Sequence, residues 1–263
     1  MKRLVLVAIT VLMALMCSVE KEGKQEAEKK AEDLPTKIVV GLDDTFAPMG
    51  FKNEKGEIVG FDIDLAREVA KRLNMEVEFK SINWDSKILD LNSGSIDLIW
   101  NGLTITPERA AETEMSKPYM SNNQAIVVRA DSSIKSKSDL KGKVVGVQNQ
   151  SSGEETVKKE GADKEFKEFK GYAQYDQAFM DLDAGRIEAV VVDEMFAKYI
   201  KNTKEKQSGK QLYTILADNF GMEECGIAAK KGNKKLIEAI DKTIEEMKAD
   251  GTYKEIFGRW FKD

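Results

Sequence analysis

The chain of 263 residues contains no histidine, only two cysteines, four prolines and three tryptophans. Without histidine it lacks the commonest general acid–base group and the commonest metal ligand, so a Ser-His-Asp triad and a histidine-based zinc site are excluded. An enzyme built on this sequence would have to work with carboxylates or lysines. The cysteines, Cys17 and Cys225, lie far apart in regions of different composition, which gives no sign of a disulfide framework. Positive charge is not in excess either: 41 Lys and Arg against 46 Asp and Glu leave a net charge of −5. Broad binding to nucleic acid or anionic lipid needs a basic face, so small molecules are the expected partners. At 41% hydrophobic and 33% charged, the chain is neither a multi-span membrane protein nor disordered as a whole, and its length allows two lobes.

The N-terminus opens MKR and runs into LVLVAITVLMALM, Leu4 to Met16. That stretch falls short of the roughly 20 residues of a membrane-crossing helix but suits the core of a signal peptide, so residues 1–17 are read as an export signal. Cys17, directly after the apolar core, resembles the lipidated cysteine of a bacterial lipoprotein. Ala14-Leu15-Met16 departs from the usual small-residue pattern, and the alternative is an ordinary signal with an incidental cysteine. Residues 18–35 are charged and poor in large apolar side chains, as in a flexible tether.

From Pro35 onward, short β-rich runs alternate with segments of helical period, the pattern of an α/β fold. KIVVGL (Lys37–Leu42) is a first strand, and Phe61, Leu65, Val69 and Leu73 place one apolar stripe on a helix. Further strands are expected at Glu76–Lys80, Ile96–Trp100, Ala125–Val128, Lys143–Val147, Glu188–Val192 and Gly226–Ala229. An internal echo organises the whole. LNSGSIDLIWNG, from Leu91, and LDAGRIEAVVVDE, from Leu182, each read as a helix end, a glycine in the left-handed conformation (Gly94, Gly185), an isoleucine, an acid and a buried strand. Polar residues follow both strands, where ligands sit in open α/β sheets. Leu236, Ile237, Ile240, Ile244 and Met247 mark a long amphipathic helix stopped near Gly251, with an aromatic-rich end expected to return to the first lobe.

The stretch NGLTITPERA, Asn101 to Ala110, starts a helix: Thr106 as cap, Pro107 at the first position, Glu108 complementing the dipole. Arg109 is out of place there. A cation in the first turn is disfavoured by roughly 0.3–1 kcal/mol. The carboxylate of a bound ligand would compensate for it, with a neighbouring carboxylate or water standing in when none is bound.

GLDDTFAPMGF at Gly41, GFDIDLAREVAKRL at Gly60, NGLTITPERA, LKGKVVGVQNQSSGEE at Leu140, GRIEAVVVDE at Gly185 and MKADGTYKEIFGRWF at Met247 together resemble the extracytoplasmic solute-binding proteins of ABC importers for polar amino acids. This group includes the histidine-, lysine/arginine- and glutamine-binding proteins, and the resemblance spans nearly all of 37–263. It implies a two-lobed type II periplasmic-binding-protein fold with a hinge of two chain crossings, near Ser121–Gln124 and Gly221–Gly226. Lobe 1 would comprise 36–122 and 225–263, and lobe 2 would comprise 123–224. The implied function is non-catalytic: an exported monomer, in the periplasm or at the outer face of the membrane, binds a free L-amino acid and passes it to a permease. No cofactor or metal is implied.

Residue by residue, the resemblance makes Arg109 the clamp for the ligand α-carboxylate, since a guanidinium fork matches a carboxylate bidentately. Thr104 and the Gly102 carbonyl serve the two ligand poles. Ser151 and Ser152, at a strand-to-helix turn, close on the carboxylate or else only cap their helix. Asp193, after the run VVV, would by itself be either a helix cap or a cation site; the resemblance assigns it the α-ammonium. Asp43, Phe46, Trp84 and Asn101 meet the ligand side chain. Asp43 beside Asp44 points to a basic ligand, although glutamine-type sites carry the same aspartate, and Phe46 and Trp84 are otherwise core aromatics. Gln150 stands where the family often has glycine, and its amide is expected in the pocket. The rival readings are an enzyme of the cyclohexadienyl or arogenate dehydratase kind on the same fold, and the ligand-sensing domain of a receptor.

Overall fold

A computed structural model describes residues 34–261. The export signal, Cys17 and all of the charged tether before residue 34 lie outside the described residues. From Lys37 onward the chain forms one unit, built on two five-stranded sheets and a small three-stranded one.

The first lobe begins with β1 (Lys37–Leu42), β2 (Thr45–Phe46), β3 (Gly50–Lys52) and β4 (Ile58–Val59), followed by α1 (Phe61–Arg72) and β5 (Glu76–Ser81). Next come α2 (Lys87–Ser93), β6 (Leu98–Ile99), α3 (Pro107–Glu112) and β7 (Thr113–Met115). β8 (Met120–Arg129) then enters the second lobe, which holds β9 (Val144–Gln148), α4 (Ser152–Glu160), β10 (Glu168–Tyr172), α5 (Tyr175–Asp183), β11 (Ala189–Asp193) and α6 (Glu194–Ser208). β12 (Tyr213–Cys225) leads back to β13 (Ala228–Lys230), α7 (Lys234–Asp250) and α8 (Thr252–Trp260). The first sheet has the order β5-β1-β6-β13-β7 and the second β10-β9-β11-β8-β12. In each, the first three strands are parallel, the fourth is antiparallel to its neighbours on both sides, and the fifth therefore runs in the direction of the first three.

The internal echo has a physical basis. Gly94 and Gly185 take left-handed φ values of 78° and 69°. The isoleucines that follow fill equivalent places: a Cβ on Gly41 would stand 2.5 Å from Ile96 Cδ1, and one on Gly146 would stand 2.7 Å from Ile187 Cδ1. Only glycine in β1 and β9 leaves room for these side chains. The acids that come next also match, Asp97 accepting from the Val39 N–H and Glu188 from the Val144 N–H, both at 2.7 Å. Each half thus pins its helix–strand joint to the strand beside it by the same bond.

β8 and β12 pair antiparallel along their length, from Arg129↔Tyr213 to Met120↔Cys225, with irregular register between Ile215 and Met222. Their far end belongs to the first lobe, where Gly226 N–H donates to the Leu103 carbonyl and Ile105 N–H to the Glu224 carbonyl. These are the two crossings. After them, α7 is capped by Gly251, and α8 returns to α1: Phe61 meets Tyr253, Phe257 and Phe261 at 5.1–5.8 Å, edge to face, and Trp260 Nε1 donates to Asp64. On α1, Phe61, Leu65 and Val69 are buried, while Leu73 falls on the helix end and Met75 fills the core in its place.

Candidate functional site

Four strand ends converge between the lobes. β1 and β6 run parallel and lead into Asp43 and Asn101-Gly102, whereas β9 and β11, parallel in the second sheet, finish on Gln148 and Asp193. Strand carboxyl ends are where open α/β sheets bind ligands. The space among them is a cavity between the lobes. Its wall contains Asp43, Phe46, Trp84, Asn101, Gly102 and Thr104 from the first lobe, with Arg109 beside them. The second lobe contributes Ser151, Ser152, Asp193 and Gln148. All the candidate ligand-site residues singled out from the sequence are therefore together except Gln150.

Gln150 is exposed and does not line the cavity. Its backbone carries the contact instead: with φ at 55°, its carbonyl accepts from Arg109 Nη2 at 3.2 Å and from Lys87 Nζ at 2.9 Å. Gln148, two residues earlier, supplies the amide, donating to Asp43 Oδ2 at 2.7 Å. The signal was present in the sequence: Gln148 follows VVGV as Leu42-Asp43 follows VVG in the first half.

Thr106 caps α3 through the Arg109 N–H at 3.2 Å, with Pro107 in the first turn. The cation is less misplaced than a long helix would make it, because α3 spans six residues and Arg109 lies in its last turn as well. The side chain is 6% exposed; Nη1 donates to the Thr104 carbonyl at 2.9 Å and Nη2 pairs with Glu155 of the second lobe at 3.0 Å. Glu155 sits in α4 and is 40% exposed, a partner that water can replace. Ser151 caps α4, accepting from the Glu154 N–H at 3.1 Å, while Ser152 Oγ accepts from Thr104 Oγ1 at 2.9 Å across the lobes.

Lys87 was not anticipated. Only 4% exposed, it donates to the Trp84 carbonyl at 3.2 Å and stands 4.8 Å from the centre of that indole ring. Burial, and then the charge of Arg109, bring its ammonium down to about 7. Asp62 was also missed, although its i+3 and i+4 neighbours Leu65 and Ala66 mark the buried face of α1. Its Oδ2 accepts from the Gly102 N–H at 2.7 Å and from the Tyr119 hydroxyl at 3.0 Å, fixing the loop that enters the site. Burial pushes its carboxyl up to about 7.

Elsewhere in the wall, burial raises the Asp43 carboxyl against the hydrogen bonds from the Thr45 N–H and hydroxyl. Asn101 accepts from the Asp43 N–H at 3.0 Å, and its Nδ2, buried, has no hydrogen-bond partner among the described residues. Phe46 stacks on Phe196 at 5.3 Å. Asp193 is 4% exposed and its carboxyl is raised, by burial first and then by the neighbouring Glu223. A guanidinium and buried carboxylates lining one cavity suit a small solute carrying both an anionic and a cationic group.

The model of the bacterial extracellular solute-binding proteins, family 3, matches residues 38–263. Among similar proteins, the L-cystine-binding protein TcyJ of Escherichia coli (strain K12) is 33% identical over 229 residues, 85% of this chain and 82% of that protein. The histidine-binding periplasmic protein of Salmonella typhimurium (strain LT2) is 35% identical over 231 residues, covering 87% of this chain and 88% of the relative. A solved structure of an ancestral arginine-binding protein bound to arginine superposes with a TM-score of 0.79 at 44% identity, over 87% of this chain and 99% of that one.

Proposed function

This chain belongs to the bacterial extracellular solute-binding proteins, family 3, and from that premise we propose that its cavity receives a free polar L-amino acid, which the protein delivers to the permease of an ABC importer. The observation that carries the reading is one wall in which the Arg109 guanidinium and the Asp193 carboxylate come from different lobes. Arg109 holds the α-carboxylate bidentately, helped by Thr104 and by the first N–H groups of α4 at Ser151 and Ser152. Asp193 and the Gly102 carbonyl take the α-ammonium. Asp43, Phe46, Trp84 and Asn101 face the side chain, and the unpaired Asn101 Nδ2 offers it a donor. Each pole of the ligand thus needs both lobes, so binding favours the closed arrangement.

In this reading lobe 1 comprises residues 36–122 and 225–263 and lobe 2 residues 123–224, and the protein acts outside the cytoplasmic membrane as a monomer without catalysis. The names of similar proteins, which bind cystine, histidine and arginine, support an amino acid as the solute. Residues 1–17 act as an export signal with Cys17 as the lipid attachment point; a Cys17→Ser variant that still fractionates with membranes would contradict the anchor. Titration calorimetry of the mature protein against the twenty L-amino acids and L-cystine tests the central claim. At least one should bind with a stoichiometry of about one, and failure of every compound would end the proposal.

A further inference from the structure

Asp193 shares its place with a second carboxyl group that the two crossing strands deliver. Asn122 on β8 and Glu223 on β12 are register partners. Asn122 Nδ2 donates to Asp193 Oδ1 and to Glu223 Oε1, at 2.8 Å each. Gln124 Nε2 donates to the same Glu223 oxygen at 2.8 Å and to Ser152 Oγ at 3.2 Å. The two carboxyl groups thus share one donor, and the donors that bracket them are neutral amides. Arg109, the guanidinium that lines the same cavity, is engaged by Thr104, Glu155 and Gln150.

Two carboxylates this close, one of them buried, do not both ionise unless a cation joins them. We propose that Glu223 is the second carboxylate of the ammonium seat: the Asp193–Glu223 pair carries one proton when the seat holds no cation and releases it when an ammonium group enters. The proposal rests on the reading of the cavity as an amino-acid site. In the exchange, the carboxylic O–H bond of the pair breaks, its proton goes to solvent, and the ligand ammonium replaces it as the positive charge between the oxygens. No other bond changes. The groups that face the pair from neighbouring elements are the Tyr175 hydroxyl of α5 and the Cys225 thiol of β12, with the charges of Asp62 and Arg109 farther off. Burial holds both the phenol and the thiol well above their ordinary values, so each stays neutral near pH 6. Because Asn122 and Glu223 sit on the two crossing strands, the seat is part of the hinge itself.

The test is calorimetric titration with L-arginine, and with L-glutamine as a second probe, at pH 6 in buffers of different ionisation enthalpy. The difference between buffers counts the protons released per ligand bound. Wild type should release on the order of half to one proton more than Glu223→Gln, and its affinity should rise by up to about tenfold per pH unit between pH 5 and 6, with a flatter profile for the variant. Glu223→Asp keeps a carboxyl and should restore the release; it also serves if Glu223→Gln fails to fold. Lys87 and Asp62 titrate nearby but are common to all three proteins and cancel in the comparison. An unchanged proton count and pH profile in Glu223→Gln, with binding intact, would overturn the seat and leave the amino-acid reading standing. Absence of binding by wild type to any L-amino acid would remove both.

Discussion

Replacing Arg109 by alanine separates its part in the fold from its part in binding. Within the chain, its guanidinium pairs with Glu155, which is 40% exposed, donates to the buried Thr104 and to the carbonyl of exposed Gln150. A pair with so exposed a partner contributes about 0.2–1 kcal/mol, and water replaces it at Glu155 and at Gln150 when the cation is gone. Leaving the Thr104 carbonyl short of a donor costs about 1 kcal/mol more. The unliganded variant should therefore be less stable by roughly 1–2 kcal/mol, a fall in Tm of roughly 2–8 °C for a domain of this size. The effect on binding is of another order. Removing one partner from a buried, hydrogen-bonded charge pair costs about 2–5 kcal/mol. At 1.4 kcal/mol per factor of ten, Kd should rise roughly 30- to 4,000-fold. Thermal melts without ligand, together with calorimetry against the amino acid that binds wild type best, measure both quantities on one preparation. Binding by Arg109→Ala within threefold of wild type would refute the clamp. A collapse in unliganded stability would show instead that the residue is chiefly structural.

Asp43→Asn keeps the side-chain acceptor for Thr45 but removes a charge from the side-chain end of the cavity, so the affinity ratio of L-arginine to L-glutamine should fall by about tenfold in calorimetric competition; an unchanged ratio would place Asp43 outside the selection of ligands. For Asp62, a carboxyl raised to about 7 in the fold and near 3.9 when unfolded binds its proton more tightly in the native state. Its contribution is full below pH 4 and is lost as pH rises through 7. Asp62→Asn, which preserves the acceptor for Gly102 and Tyr119, should flatten the decline in Tm between pH 5 and pH 8, and identical profiles would contradict the assignment. Lys87 has the opposite sense: at about 7 in the fold against about 10.4 unfolded, it is protonated less readily in the native state, so its contribution improves as pH rises from 7 to 10. Lys87→Met should therefore gain stability over wild type most at pH 6 and least at pH 10, as followed by denaturant melts, and a pH-independent difference would sink the idea.

Of the parallel strands, β1, β9 and β11 were legible in the sequence because they are buried and their apolar runs stand out, VVGL, VVGV and AVVV. β10, β7 and most of β12 were not. β12 alternates between buried and exposed positions and breaks register twice, so neither period persists long enough to announce a strand. The two-residue pairs of the small sheet, β2 and β4, are set by tertiary contacts rather than by any pattern. In the site, motif residues at strand ends could be named, but the groups that face them could not. Glu155 reads in sequence as a dipole complement in a first turn, and Glu223 as one acid in the run Glu223-Glu224. Only the crossing of β12 beside β8 carries Glu223 to Asp193, about 30 positions away, and no local pattern encodes that juxtaposition.

The same cross-lobe contacts bear on how selective the site can be. Arg109 has Glu155, Asp43 has Gln148 and Ser152 has Thr104, in each case a partner from the opposite lobe. A ligand that binds here exchanges partner for partner, and its affinity is the difference between two satisfied arrangements. A ligand lacking one group leaves the corresponding protein pair in place, not a buried polar atom without a partner, so the penalty against it is smaller than in a site whose groups are otherwise unpaired. Sharp discrimination should come instead from positions with no internal partner. Among the cavity residues the Asn101 amide nitrogen is one, and it lies beside Asp43 at the end that the ligand side chain would occupy.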